Sequence, residues 1–398
     1  MKIVRAYKTE LDPTRTQLVL LRQHGGAARY TYNWGLEQRK AEYEATGKSS
    51  RSMEQHKKLN ALKKTEFQWM YEVSKCAMQE ALRDLGRAYD NFYRRMKKGV
   101  DKLGFPKFKC KHRGQDSFRL TGAIHVKNGS VKLPRLGEIR LKEKGYLPTE
   151  GVKILSATCS ERAGRWFVSV QVEQWIGDPI NNVDGDVVGI DLGVKTLAVC
   201  SNGMVFENSR ALKKSEKQLR AANKSLHRKK KGSENRKKAV RKVARVHYRV
   251  SNVRKDSIHK ATSEVVRTKP RVIVLEDLNV RGMVKNRKLS KCVSDAGFGE
   301  FKRQVVYKSW WSGVEVVFAP RFYPSSKLCS VCGLINEDLT LEEREWDCPC
   351  GAHHDRDFNA SLNLKAFSTG SFSGIQACGD DVRPLGSCRG SRNLAVGV

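Results

Sequence analysis

Three acidic residues stand at the ends of short apolar segments, and they constrain the fold of this chain more than any other feature. Asp191 closes the apolar run in VVGIDLGVKTLAV, Glu276 closes the run in RVIVLEDLNV, and Asp357 lies in HDRDFNASLNL. A carboxylate at the end of a buried element is costly to desolvate, and neighbouring carboxylates repel one another. If the fold gathers these three acids, divalent cations are their natural partners.

The order of elements predicts that the acids do meet. From residue 187 onward the apolar pattern predicts strand, strand, strand, helix, strand, helix, strand, helix. That is the order of RNase H-like domains, where the central first strand, its neighbour the fourth strand and a late helix each supply one acid. Two divalent cations about 4 Å apart can clamp the attacking and leaving oxygens of a phosphodiester. We therefore predict a two-Mg²⁺ nuclease site on Asp191, Glu276 and Asp357.

Each of these acids also has a plainer interpretation. Asp191 could be a turn residue after its strand. Glu276 and Asp277 point to opposite faces of a strand, so only one can join the site, and Asp277 could instead cap a helix. Asp355 could cap the final helix while Asp357 points inward. The residues alone leave these alternatives open.

The charge predicts a polyanionic partner. The 398 residues include 76 Lys and Arg against 42 Asp and Glu, a net charge of +34. The basic residues run through nearly every segment, which fits nucleic acid better than the local anchor expected of a membrane-surface protein. The sequence shows neither a bilayer-spanning apolar run nor a signal peptide, so we expect an intracellular, cytoplasmic protein. On charge alone, a purely structural nucleic-acid binder remains an alternative.

The basic residues are densest between residues 211 and 250, where 16 Lys and Arg stand against 2 Glu. We predict two helices there, separated at KKKGSENRKK, that track phosphates; a solvated charged face is the alternative. Lys195 is a further candidate beside the scissile phosphate, although an ordinary surface lysine would look the same. The complete set of predicted nucleic-acid contacts is Lys195, Lys229, Lys230, Arg236, Lys237, Arg241, Tyr32, Lys107 and Lys109.

Four cysteines have the spacing of a tetrahedral zinc site. C-x₂-C is followed after 15 residues by a second pair, and such a closed site is structural. Only Pro349 separates the second pair, so His353 or His354 could replace one thiolate. The ribbon would pin the loop that delivers Asp357. The predicted Zn²⁺ ligands are Cys329, Cys332, Cys348 and Cys350.

The N-terminal part has a different pattern. Residues 1–13 predict a strand, and residues 15–45 and 66–98 predict helices. After Gly104 short alternating segments predict strands, with a hairpin turn at Asn128-Gly129. These strands suggest a small barrel into which the helices are inserted. Eleven cysteines are an odd number and poor evidence for a disulfide framework.

The motifs together resemble the TnpB (OrfB) family, RNA-guided nucleases of bacterial insertion sequences related to type V CRISPR effectors. The resemblance rests on GIDLGVKTLAV, VIVLEDLNVRGM, YPSSKLCSVCG and HDRDFNASLNL, with GFPKFK and RYTYNWGLEQRK near the N-terminus. It implies a RuvC-like nuclease domain with an inserted zinc ribbon, preceded by a wedge β-barrel that a helical recognition domain interrupts. The implied domains are a barrel of residues 1–13 and 101–180, a recognition domain of 14–100, a nuclease domain of 181–324 and 353–367, and a zinc ribbon of 325–352. The Gly- and Ser-rich composition of residues 368–398, without periodicity, itself predicts a disordered tail in which Cys378 and Cys388 are free thiols rather than ligands.

The resemblance also implies roles. The family's first-motif Asp matches Asp191, its second-motif Glu matches Glu276, and its third acid, two residues before Asn, selects Asp357 over Asp355. The implied partners are a guide RNA from the transposon end and double-stranded DNA, cut beside a short target-adjacent motif by a monomer or dimer that is nucleoid-associated when bound. The Cys-Pro-Cys pair departs from the family pattern and leaves the zinc ligands in question.

Two rival functions use the same features. A transposase or other strand-transfer protein would need the same acids, but the sequence shows no recognisable helix-turn-helix and no tyrosine nucleophile context. A non-cleaving RNA- or DNA-binding repressor would tolerate loss of an acid, whereas all three are present.

Overall fold

Residues 1–177 and the residues from 178 onward form two separate units. The computed structural model describes residues 1–99, 104–111, 116–340 and 342–369. The boundary falls within the segment 176–186, whose Gly, Pro, Asn and Asp content is typical of a linker. The predicted tail thiols Cys378 and Cys388, and the tail beyond residue 369, lie outside the described residues.

The first unit contains one antiparallel seven-stranded sheet in the order β2-β6-β7-β1-β5-β4-β3. The long strands β6 and β7 form a hairpin, and β1 pairs with β7 from Lys2 to Glu10. The Asn128-Gly129 turn joins β3 to β4, as the sequence predicts. The strands are β1 (Lys2–Asp12), β2 (Ser117–Leu120), β3 (His125–Lys127), β4 (Ser130–Leu133), β5 (Gly137–Leu141), β6 (Val152–Arg162) and β7 (Arg165–Trp175).

The helices of this unit lie between β1 and β2 in the chain. They are α1 (Arg15–Thr46), α2 (Ser52–Leu62), a short 3₁₀ helix (Gln68–Glu72) and α3 (Lys75–Lys97). Thr14 begins α1 with a reciprocal capping box with Gln17. The sequence predicted one helix over 66–98, but Ser74 is extended and its N–H donates to Nε2 of buried His24, 3.0 Å away. The helical pattern therefore stops and restarts there.

The sheet and two helices share one core. Leu21, Leu36 and Leu85 from the helices pack with Val131 and Val168 from the sheet. Within the described residues the end strands β2 and β3 do not pair with each other, and closure into a barrel stays a prediction. Helices α1 and α3 pack against the edge strand β2 instead. Covering an edge with helices protects its backbone groups without closing the sheet.

The second unit is built on a mixed five-stranded sheet in the order β10-β9-β8-β11-β12. Its strands are β8 (Val187–Asp191), β9 (Thr196–Cys200), β10 (Val205–Glu207), β11 (Val272–Glu276) and β12 (Glu315–Ala319). Strand β8 is central, antiparallel to β9 and parallel to β11, which in turn runs parallel to β12. A separate hairpin joins β13 (Glu345–Asp347) to β14 (His353–Asp355), so the ribbon region extends past the expected boundary at residue 352.

Helices cover both faces of this sheet. They are α4 (Ala211–Lys214), α5 (Glu216–His227), α6 (Glu234–Arg267), α7 (Val280–Lys285), α8 (Ser290–Ala296), α9 (Phe298–Ser312) and α10 (Arg356–Thr369). Helices α6 and α9 pack on one face and α10 on the other. Helix α10 runs to Thr369, two residues into the segment predicted as tail. In the part of the chain that the structure describes, no helix is long and apolar enough to cross a bilayer.

Side-chain alternation decides which face each acid joins. Val187 of β8 and Val272 and Val274 of β11 pack with Leu364 of α10, whereas Val188, Ile190, Ile273 and Leu275 pack under α6 and α9. Because alternate residues of a strand share a face, Asp191 and Glu276 belong to the α10 face. Asp277, one residue later, belongs to the opposite face.

A glycine lets α10 approach the central strand. A Cβ on Gly189 would overlap the carbonyl oxygen of Ser361 and the amide nitrogen of Lys365. Lys365 also pairs with Asp186, which precedes β8, so the helix runs opposite to the strand. Its first turn therefore reaches the end of β8 where Asp191 lies.

Candidate active site and cysteine cluster

Asp191 is the buried member of the predicted carboxylate site. It ends β8, is 8% exposed and faces α10. Burial raises the pKa of its carboxyl well above the usual range, and the charges of Glu276 and Asp357 raise it further. Arg356 and Arg344 act in the opposite direction but do not cancel the effect. Glu276 and Asp357 thus lie close enough to Asp191 for their charges to act on it.

Glu276 ends the neighbouring strand β11. Burial raises the pKa of its carboxyl, although the Ser325 hydroxyl donates a hydrogen bond to Oε1 and partly opposes that shift. Asp277 has another role, since it accepts from Lys302 (2.8 Å) and Arg321 (3.0 Å) away from the site. These bonds lower the pKa of Asp277. It does not cap a helix; Asn279 caps α7 instead.

Asp357 lies in the first turn of α10. Its carboxylate accepts from Nη1 of Arg344 at 3.1 and 3.2 Å, and Arg356 lies 3.4 Å away. Asp355 caps the helix, because its Oδ1 accepts from the N–H of Phe358 at 2.8 Å. Asp355 thus caps the helix, while Asp357 lies where its charge acts on Asp191.

Three acids from two parallel strands and one helix make a site suited to hard cations. Burial, and then the charges of Glu276 and Asp357, disfavour ionisation of Asp191 in the protein alone and so raise its pKa. A bound divalent cation would remove that penalty and would find the oxygen ligands it prefers. The donor set fits the predicted Mg²⁺.

The four predicted zinc ligands also meet. The Sγ atoms of Cys329, Cys332, Cys348 and Cys350 all lie within 4.8 Å of one another. Cys329 and Cys348 are buried, while the other two are exposed. Four thiolates at this spacing fit a tetrahedral Zn²⁺ despite the tight Cys-Pro-Cys turn.

The two histidines differ in position. Nε2 of buried His354 lies 3.1 Å from Sγ of Cys329, whereas Nδ1 of exposed His353 lies 2.7 Å from Asp347 and away from the thiols. Burial opposes ionisation of Cys329, yet backbone N–H groups and His354 together lower the pKa of its thiol to about 6. His354 thus lies beside Cys329, while the group of mutually close ligand atoms consists of the four sulfurs.

Hydrogen bonds tie the first cysteine knuckle to α10. Asn359 donates to the carbonyl of Leu328 at 2.7 Å and accepts from the N–H of Ser330 at 3.0 Å. Asn363, one turn later, donates to the same carbonyl and to that of Ser325. Both asparagines are buried. The segment that holds Cys329 is thus fixed to the helix that carries Asp357.

The predicted nucleic-acid contacts fall into three groups. Lys195 is exposed in the turn after β8, and Lys229, Lys230, Arg241, Lys107 and Lys109 are exposed elsewhere. Arg236 donates to the carbonyls of Leu226 and Lys229, and Lys237 pairs with Glu234, so these two have partners within the protein. Tyr32 is 6% exposed and Lys109 lies over its ring, which leaves no face for a base.

Sequence reasoning missed the polar partners of the acids. In the sequence Ser325 is 49 positions from its partner Glu276, and Arg344 is 13 positions from Asp357. Arg356 directly precedes Asp357. Nothing in the local pattern marks them. Asn363 of α10 could have been suspected because a polar residue there interrupts apolar helical spacing.

Three family models match the chain. One described as "Probable transposase" matches residues 167–287, and one described as "Cas12f1-like, TNB domain" matches residues 298–364. A third, described as "Helix-turn-helix domain", matches residues 1–48. This match contradicts the expectation that the sequence holds no recognisable helix-turn-helix. In the structure residues 1–48 contain β1 and helix α1.

Curated relatives match nearly the whole chain. A protein of Streptomyces pristinaespiralis named as an RNA-guided DNA endonuclease is 37% identical over 388 residues, covering 96% of this chain and 93% of that protein. InsQ of Escherichia coli (strain K12), named in the same way, is 32% identical over 413 residues and 97% of each chain.

A solved structure has a similar fold. The Cas12f1 chain in the cryo-EM structure of a Cas12f1–sgRNA–target DNA complex matches with a TM-score of 0.56. The match covers 92% of this chain and 99% of that one at 15% identity. At this identity the likeness concerns the fold.

Proposed function

This chain belongs to the TnpB (OrfB) family of RNA-guided DNA endonucleases, and from that premise we propose that it cleaves double-stranded DNA at Asp191, Glu276 and Asp357. The single observation that carries the proposal is the placement of the three acids, at the ends of the neighbouring strands β8 and β11 and in the first turn of α10, where burial and the other two charges raise the pKa of Asp191. A group of acids this costly to ionise alone is a site for divalent cations. Mg²⁺ is the proposed ion.

Each residue has a separate role. Asp191 and Glu276 would hold the cations from the ends of adjacent parallel strands, and Asp357 would close the site from α10. When bound, the cations would lower the pKa of the attacking water and neutralise charge on the phosphate. Ser325 fixes the orientation of Glu276, while Arg344 and Arg356 hold Asp357 in place.

The remaining parts would bind nucleic acid. We propose that guide RNA supplies sequence recognition by base pairing, while the protein contacts backbones and reads a short motif beside the target. Helices α5 and α6, with their exposed lysines and arginines, would line the duplex of RNA and DNA. The thiolate cluster would hold a structural Zn²⁺ that braces α10.

The test compares two neighbouring acids in the RNA-loaded protein. Asp191→Ala should slow cleavage of a matched DNA target by about 1,000-fold or more, since metal-ion stabilisation of the transition state is worth several kcal/mol. Asp277→Asn, on the opposite face, should cut at close to the wild-type rate. Both should bind the target with near wild-type affinity in a filter-binding assay. Wild-type cleavage by Asp191→Ala would sink the site assignment.

Dependence on RNA is tested separately. Protein freed of RNA by high salt and nuclease treatment should not cut, and adding back RNA transcribed from the element's end should restore cutting. Full, sequence-specific cleavage by the RNA-free protein would contradict the proposal that RNA guides the protein to its target.

Strand transfer is the second candidate, because one matching family model is described as "Probable transposase". It needs the same acids but yields a different product. Sequencing the reaction products decides between them: hydrolysis leaves free ends, whereas strand transfer joins a cut 3′ end to a second DNA.

A further inference from the structure

Arg39, on helix α1, is a buried cation without an anionic partner among the described residues. It is 8% exposed, and its guanidinium carbon lies 4.0 Å from the ring centroid of Tyr89. Its Nε has no hydrogen-bond partner. A buried unpaired charge is costly, and a cation–π contact offsets only part of that cost. Among the residues that the structure describes, Arg39 therefore has no anion to offset its charge.

Two more features lie beside it. Nζ of the next residue, Lys40, is 5.0 Å from the ring centroid of Phe108 and 5.5 Å from that of Phe105. Phe105 packs edge-on against Tyr89, which connects this pair to Arg39. Lys40, like Arg39, has no ion pair with a described carboxylate. Arg39 and Lys40 thus each contact an aromatic ring rather than a carboxylate.

The loop that carries these rings is held firmly. Asn33 donates to the carbonyl of Lys109 at 2.9 Å and accepts from its N–H at 2.7 Å. The ammonium of Lys109 lies 4.1 Å from the ring centroid of Tyr32. Even so, Phe108 is 51% exposed. A large apolar side chain on a pinned loop is preorganised for a partner with a flat apolar face.

Arg39, Lys40 and Lys109 bring positive charge to this region. The acid that acts on Lys109 and Tyr32 is Asp84, and it already forms an ion pair with Arg87. Phosphate supplies the missing anion, and an unpaired base supplies a flat face for Phe108. Single-stranded nucleic acid offers both at once, whereas the bases of a duplex are already stacked.

We propose that Arg39, Lys40 and Phe108 bind one phosphate and the adjoining unpaired base of the guide RNA. This rests on the proposed function, which supplies the RNA. Guide RNA fits better than DNA because it stays bound before a target arrives. A phosphate of the guide RNA would therefore neutralise buried Arg39 both before and after target binding. A phosphate of the target DNA would leave Arg39 unpaired until a target is bound.

Crosslinking of the natural complex tests the site. The full chain purified with its RNA is irradiated at 254 nm, and digested peptides are searched for nucleotide adducts by mass spectrometry. An RNA adduct is expected on Phe108. Phe108→Tyr should keep the adduct, whereas Phe108→Ala should lose it and bind the same RNA about 5-fold or more weakly, in line with the loss of one stacked base.

The phosphate contact is tested by salt dependence. Lys40→Gln should reduce the slope of log K against log salt for this RNA by about 0.7, the value for one phosphate on a single strand. Lys48→Gln is the matched control: Lys48 is exposed just beyond α1 and contacts none of these rings. It should lower the slope less than Lys40→Gln does.

The outcomes separate two failures. Protein that carries no RNA at all would contradict the proposed function. Three results with RNA-carrying protein would overturn this site alone. They are the absence of an adduct at Phe108, an adduct that forms only with target DNA, and equal salt slopes for Lys40→Gln and Lys48→Gln.

Discussion

At the scale of single residues, Asp191 bears most of the electrostatic cost of the site. Its carboxyl is buried, and two acids with the same charge act on it. Ser325 donates a hydrogen bond to Glu276, and Arg344 and Arg356 pair with Asp357, so the negative charge of these two acids is partly offset. The site is therefore asymmetric before any cation binds, with its strongest demand for positive charge at the end of β8.

This predicts that Asp191→Asn stabilises the protein without divalent cations. A carboxyl whose pKa is raised by folding favours the folded state fully below its unfolded pKa, near 3.8. That contribution is lost as the pH rises through the folded pKa. At pH 7.5 in EDTA the neutral amide should therefore raise Tm by about 2–4 °C, corresponding to roughly 1 kcal/mol.

Thermal unfolding from pH 4 to 8 checks this. The gain from Asp191→Asn should shrink toward the acidic end of the series, and added Mg²⁺ should reverse it at pH 7.5 by stabilising only the wild type. Asp277→Asn removes two ion pairs and should give no gain. A variant less stable than the wild type at pH 7.5 in EDTA would contradict this account.

At the scale of elements, the meeting of β8 and α10 positions two of the three acids. Strand β8 and helix α10 cross at Gly189, which contacts Ser361. Gly189 is two residues before Asp191, and Ser361 is one turn after Asp357. Two strand residues span about 6.6 Å and one helical turn about 5.4 Å, so the two acids end at similar heights. The approach depends on a residue without a Cβ.

Gly189→Ala should therefore weaken both fold and activity. The new methyl group would overlap backbone atoms of α10, and overpacking of this kind costs about 1–3 kcal/mol. Chemical denaturation should show this loss, and cleavage should fall because Asp357 moves away from Asp191. Gly299→Ala is the control, since a Cβ there meets nothing within 4 Å. Equal stability of the two variants would show that the crossing is not tight.

The cysteine cluster acts on the same helix. Through Leu328 and Ser330 the first knuckle is bonded to Asn359 and Asn363 of α10. Cys332→Ser should thus lower zinc content below one ion per chain, measured by atomic emission, and lower Tm. Cys292→Ser, an exposed cysteine outside the cluster, should change neither. Full zinc content in Cys332→Ser would contradict the four-sulfur site.

Much of this arrangement follows from local pattern. The buried runs VVGID and VIVLE identify the strands, and alternation along them places Asp191 and Glu276 on one face and Asp277 on the other. The sequence could not give the break at Ser74 or helix α2. The break depends on His24, 50 positions away, and α2 buries only Gln55 and Leu59. Likewise, the pairing of Arg344 with Asp357 depends on the β13–β14 hairpin.

At the scale of the whole molecule, the chain joins a strong positive charge to a small acidic site. The net charge of +34 attracts polyanions in general and gives no cleavage by itself. The proposed cleavage requires the three acids to act as one site. Each unit has its own core, and all three acids lie in the unit from residue 178 onward.

Manganese binding tests this central claim most directly. Mn²⁺ is titrated by calorimetry into the RNA-loaded wild type and into Asp191→Asn, Glu276→Gln, Asp357→Asn and the control Asp277→Asn. We predict that the first three each lose Mn²⁺ affinity by about 10-fold or more and lose cleavage, while zinc content and the control remain unchanged. Wild-type Mn²⁺ affinity and cleavage in any of the three would contradict a shared metal site.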